Sequence, residues 1–129
     1  MLVADASIIA PVVADKGPDG VRLRRRLRRQ HIAAPDLLGV EVVSVILRQL
    51  RMGGLEASQA ARAVDDLLEL PISLYPTDPL LRRCWDLRDH LTAYDATDIA
   101  LAEALDCAVL TTDARLSRAP GIRCTIELA

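Results

Sequence analysis

The chain has 129 residues, 51% of them hydrophobic but only 2% aromatic, with no phenylalanine and a formal net charge of −2. That length makes one domain, residues 1–129, with a core of Leu, Val, Ile and Ala burying roughly two-thirds of the unfolded surface. A mean hydropathy of +0.21 argues against disorder, and a pI of about 5.6 excludes the global positive field of a strongly basic nucleic-acid binder.

Lys16 is the only lysine, so the basic charge is almost all arginine. Guanidinium forks suit phosphate and carboxylate partners, though genomic base composition gives the same bias. Cys84, Cys107 and Cys124 are odd in number and lack metal-ligand spacing, which fits a reduced, cytoplasmic protein. Neither a signal-peptide pattern nor a bilayer-spanning apolar run is present, so no membrane partner is expected.

In chain order, Met1–Ala4 reads as a short apolar strand ended by Asp5. Ala6–Ala14 follows as a helix or turn with Ser7 as its N-cap, and Asp15–Gly20 is a loop. Val21–Gln30 is a helical stretch with arginine at 22, 24, 25, 26, 28 and 29, and His31–Ala34 is an extended link. Pro35 and Asp36 open a long helix to about Met52, stopped by Gly53 and Gly54. Its body, LLGVEVVSVIL, is apolar almost all round and predicts a central, buried helix.

Leu55–Leu70 is another helix, with Ala57, Ala60, Ala61, Val64, Leu67 and Leu68 as its apolar stripe, and Pro71–Tyr75 is a strand. Asp78 and Pro79 open a helix to about His90. Ala93–Leu116 then joins an alanine-rich helix to the strand CAVLT, and Ile122–Leu128 is the last strand. Strands alternating with helices, and lacking clean polar alternation, predict an α/β fold with a mainly parallel sheet of four or five strands covered on both faces.

Several acids stand where folding alone does not need them. Asp5 and Asp113 each follow an apolar strand, at the edge where open α/β sheets place ligands. Glu41 lies within V-E-V-V, on a helix with no polar face wide enough to hold it in water. A buried carboxylate must be protonated, paired with a base such as Arg48, or bound to a cation. Asp95 and Asp98 share a helix face, and each also reads as an ordinary first-turn acid. A carboxylate cluster of this kind suits Mg²⁺ or Mn²⁺, hard cations that take oxygen ligands. No thiolate–histidine set for zinc is present, and His31 and His90 are isolated.

At this point the motifs match a family. V-A-D-A-S at Val3–Ser7, P-D-L-L-G-V-E at Pro35–Glu41, Y-D-A at Tyr94–Ala96 and L-T-T-D-A-R-L at Leu110–Leu116 span the chain. Together they resemble PIN-domain ribonucleases, most closely the VapC-type toxins of bacterial toxin–antitoxin pairs. The resemblance implies a PIN-like α/β/α sandwich and a Mg²⁺- or Mn²⁺-dependent endoribonuclease. Asp5, Glu41, Asp95 and Asp113 would be its catalytic acids. Asp5, Asp95 and Asp113 would hold the metal, with Glu41 as a further candidate. Asp98, where family members are often not acidic, is an extra candidate ligand, a supporting acid or an idle helix-start residue.

Thr111 matches a polar residue kept beside the quartet, and Ser7 is a supporting candidate. Arg115, Arg25 and Arg28 are candidate contacts for RNA or an antitoxin, against the plainer readings of a salt bridge or a solvated charged helix. The resemblance also implies a cognate antitoxin and a toxin homodimer, able to assemble into a larger complex. Leu37–Met52 and Leu55–Leu70 are the candidate surfaces.

Other readings compete. A receiver-type signalling domain would need a lysine after a late strand, and Lys16 lies early. A PIN-fold nuclease acting on DNA, or a non-catalytic module keeping the acidic pocket, remains as an alternative.

Overall fold

Five short strands build one parallel sheet, and their order decides where a ligand can sit. The computed structural model describes residues 1–129. The strands are β1 (Leu2–Ala4), β2 (Ile32–Pro35), β3 (Ile72–Tyr75), β4 (Ala108–Thr111) and β5 (Ile126–Leu128). They lie in the order β3-β2-β1-β4-β5, and every neighbouring pair is parallel. The chain therefore steps outward from β1 through β2 to β3, then returns to the other side of β1 for β4 and β5. Where the direction of winding reverses, connections leave for opposite faces and a crevice opens at the carboxyl ends of the two central strands. Here those strands are β1 and β4.

The two faces follow from the two-residue period of a strand. Leu2, Ala4, Ile32, Ala34 and Leu110 point to one face, which α1 (Ala6–Ala14), α2 (Pro18–Leu27), α3 (Leu38–Arg51) and α4 (Ala57–Glu69) cover. Val3, Ala33 and Val109 point to the other, under α5 (Leu81–Asp86) and α6 (Ala93–Leu105). Both faces are buried, which is why the strands read as apolar runs without alternation.

Several elements differ from the sequence reading. His31–Ala34 is no link: Ile32–Pro35 is an inner strand of the sheet. Pro35 closes that strand instead of opening a helix, and the next amide, of Asp36, bonds to the Tyr75 carbonyl at 2.8 Å. The arginine helix starts earlier, at Pro18, with proline at its first position and Gly17 as N-cap. The helix expected to reach His90 is a 3-10 turn at Asp78–Leu80 followed by α5, which ends at Asp86. The last strand is shorter, Ile126–Leu128.

The largest correction concerns α3. Only Leu38, Val42 and Ile46 of this helix are buried, and Val40 (76% exposed), Val43 and Leu47 face solvent. The helix enclosed on nearly all sides is α6, where every residue from Ala96 to Ala102 is buried. Ala96, Ala100 and Ala102 carry side chains small enough for its backbone to pack closely on β1, β2 and β4.

On the opposite face, α2 is fastened to α1 by one of its arginines. Arg24 donates to the Val12 carbonyl at 3.0 Å and the Asp15 carbonyl at 2.7 Å, using acceptors that the end of α1 leaves free. Gly20 sits so close that a Cβ there would lie 1.9 Å from the Asp15 carbonyl oxygen, so only glycine fits.

Candidate functional site

The crevice between β1 and β4 starts from Asp5, the first residue beyond β1 and the N-cap of α1. It is 8% exposed. Two hydroxyls fix its carboxylate: Ser7 Oγ donates to Oδ1 and Thr111 Oγ1 to Oδ2, both at 2.5 Å. Each hydroxyl is oriented in turn by a backbone amide. The Thr112 N–H donates to Ser7 Oγ at 2.9 Å, and the Asp113 N–H donates to Thr111 Oγ1 at 3.0 Å. A hydroxyl that accepts from an amide turns its proton outward, here onto Asp5. Burial pushes the Asp5 carboxyl above its ordinary value, against the pull of these two hydroxyls. Ser7 is therefore not an N-cap but part of the lattice that stitches β1 to β4.

Glu41 comes from the first turn of α3, half-buried, and forms no ion pair with Arg48 or any other base. Burial, then the nearby Asp5 and Asp95 carboxylates, raise it to about 7. Asp95 and Asp98 come from α6. The capping role open to Asp95 is filled by Thr92, whose Oγ1 accepts the Asp95 N–H at 3.1 Å and leaves the Asp95 side chain free. Asp98 is 3% exposed, so it faces inward. Burial and the carboxylates of Asp5, Glu41 and Asp95 hold it well above the usual range.

Asp113 differs from these four in being paired. Arg115 clasps it at its side chain, with Nε 3.0 Å from Oδ1, one terminal nitrogen 2.7 Å from Oδ2, and its own backbone N–H 2.9 Å from Oδ1. That pairing lowers the Asp113 carboxyl below its ordinary value. Asp95, Asp113 and Arg115 line one recess of about 120 Å³ with Thr92 and His90. His90 is thus a crevice neighbour that no spacing in the sequence revealed.

Arg25 and Arg28 are not brought there. Both lie on or just past α2, and neither bonds to a crevice residue. Arg28 instead edges a separate groove of about 560 Å³, whose apolar floor includes Val12, Leu27 and Leu70. Arg26 takes Glu127, at 2.5 Å.

The donor set suits a hard divalent cation: four carboxylates near enough to act on one another, none of them in an ion pair. Their spacing is wider than one coordination sphere, for no three acidic, histidine or cysteine side chains are grouped as a ready-made ion site. An ion would have to draw them together, and like charges held near each other in a partly dry crevice supply the reason for it to bind.

The comparisons with known proteins agree with this fold. The model of the PIN domain matches residues 2–122. Ribonuclease VapC1 of Mycobacterium tuberculosis is 39% identical over 127 residues, which cover 98% of this chain and 96% of that protein. Among solved structures, M. tuberculosis VapC20, described as a Sarcin-Ricin loop cleaving toxin, superposes with a TM-score of 0.70 at 15% identity. That match covers 95% of this chain and 96% of the other. VapBC2 from Rickettsia felis, bound to a DNA fragment from its promoter, gives 0.68 at 14% identity, over 99% of this chain and 98% of that one.

Proposed function

Because the chain belongs to the PIN-domain family, we propose that it is a Mg²⁺- or Mn²⁺-dependent endoribonuclease, acting as the toxin of a toxin–antitoxin pair. The observation that carries the chemistry is that Asp5, Glu41, Asp95 and Asp98 lie near enough to act on one another while none of them forms an ion pair. A bound divalent cation supplies positive charge to the phosphodiester transition state and favours the ionised form of an attacking water.

Asp5, Asp95 and Asp113 would hold it during cleavage, with Glu41 and Asp98 as further candidate ligands. Asp5 is kept in place by the Ser7 and Thr111 hydroxyls, so a ligand there loses little side-chain freedom on binding. Glu41 comes from α3, on the other face of the sheet from α6, and would take up a proton during attack. Arg115, 80% exposed at the rim, can exchange the Asp113 carboxylate for a phosphate of the RNA, the same bidentate chemistry on a different anion.

The test is cleavage of a single-stranded RNA with either metal, beside a DNA strand of the same sequence. Asp5→Asn, Glu41→Gln, Asp95→Asn and Asp113→Asn should each lower cleavage by about 100-fold or more while far-UV circular dichroism stays unchanged. Variants that cut like the parent would sink the reading, and cutting of DNA in place of RNA would move it to the other substrate.

The antitoxin and a homodimer are part of the same proposal. The exposed Val40, Val43 and Leu47 stripe of α3 supports it, being an apolar face that the monomer leaves uncovered. No helix is long and apolar enough to cross a membrane, which is compatible with a cytoplasmic site of action. Co-expression with the neighbouring reading frame should relieve growth arrest and yield a complex on gel filtration. Arrest unchanged by that partner would count against the pairing.

A further inference from the structure

Asp98 lies one helical turn beyond Asp95, on the same face of α6. The ordinary reasons for an acid at this position are absent. It does not cap the helix, because Thr92 does. It forms no salt bridge, because the chain's ion pairs use Asp19, Glu127, Glu103 and Asp113. No hydrogen bond contributes to the state of its carboxylate; only burial and the three neighbouring acids do.

A side chain 3% exposed with no protein partner is an expensive thing to fold around. Every fully enclosed polar side-chain atom in the chain has a partner, so the unpartnered Asp98 oxygens keep their narrow opening to solvent. The charged groups near enough to act on that carboxylate are Asp5, Glu41 and Asp95. Asp113 is the reverse case: part-exposed, and already holding a cation in both carboxylate oxygens, the Arg115 guanidinium.

Resting on the ion-dependent reading above, we infer that Asp98 is a ligand of the divalent cation in the RNA-free protein, in a place that the Arg115 clasp denies to Asp113. Asp113 becomes available when a substrate phosphate draws Arg115 away. The two acids thus act at different stages, Asp98 in loading the ion and Asp113 in turnover.

The experiment is Mn²⁺ titration of the purified full chain without RNA, followed by electron paramagnetic resonance of the free ion. Asp98→Asn and Asp98→Ala should each weaken Mn²⁺ binding by about tenfold or more, and Asp113→Asn should leave it within about threefold of the parent. In EDTA, Asp98→Asn should melt no lower than the parent, whereas an acid with a merely structural role would lower the melting temperature. Parent-like Mn²⁺ affinity in both Asp98 variants, or an equal loss in Asp113→Asn, overturns the inference while leaving the nuclease reading intact. A parent protein that binds no Mn²⁺ at all overturns the ion-dependent reading itself.

Discussion

Helices α3 and α6 are nearly equal in length and both rich in aliphatic residues, yet the sheet treats them oppositely. α3 lays one narrow stripe, Leu38, Val42 and Ile46, on the core and turns Val40, Val43 and Leu47 outward. α6 is wrapped from Ala96 to Ala102, with polar Thr97 and Asp98 enclosed along with the rest. The difference lies in side-chain size as well as hydropathy. Valines and leucines hold a helix away from its support, whereas Ala96, Ala100 and Ala102 let α6 settle onto three strands. Each helix delivers its acids accordingly: α3 presents Glu41 from a partly wet wall, and α6 presents Asp98 from a dry one.

The contrast can be broken most forcefully in the core. Ile99→Ala on α6, which leaves a cavity at a fully buried position, should cost about 2–5 kcal/mol in urea unfolding. Ala100→Leu should cost about 1–3 kcal/mol by overpacking, and would show whether small residues set the approach of α6. A cost near zero for either would mean that the two helices do not differ in packing.

A smaller effect comes from protons. The folded protein holds a proton on Glu41 that the unfolded chain releases, since burial raises the group from 4.5 to about 7. Stability without metal should therefore fall as pH climbs from 4.5 to about 7 and level off above, by roughly a few degrees in Tm. The raised carboxyls of Asp5 and Asp98 act in the same direction. Asp113 acts oppositely: its pairing with Arg115 stabilises above its ordinary 3.8 and is lost as pH falls below that value. Thermal melts in EDTA check this, and Glu41→Gln should flatten the upper slope. The smallest change belongs to the outer face of α3, where Val43→Ser should stay within about 0.5 kcal/mol in the monomer.

Glu41 was legible in the sequence because its immediate neighbours are apolar, so a local window exposes the anomaly. Asp5 and Asp113 were legible as strand-end acids for a similar reason. Asp98 was legible only as a candidate, since its neighbours Asp95 and Thr97 make an ordinary helix start, and the packing of α6 is what shows that it faces inward. β2 escaped because Ile32 is its one β-branched residue: Ile-Ala-Ala-Pro has little strand propensity and pairs because β1 and β3 flank it. The all-round hydropathy of α3 gave the wrong helix as central, because periodicity cannot say which of two apolar helices packs closer. The partner of Arg115 could be named from its spacing to Asp113, and the inward turn of Arg24 could not.

The hydrogen bond from Thr111 to Asp5 joins residues 106 positions apart. Every strand but the last must leave the ribosome before that bond can close, and until then Asp5 has lost one of its two hydroxyl anchors. A contact of such long range is slow to form and comes late. A nascent or prematurely released chain lacking β4 therefore holds Asp5 by the Ser7 hydroxyl alone. The crevice takes its folded form only after synthesis of the strand that completes it.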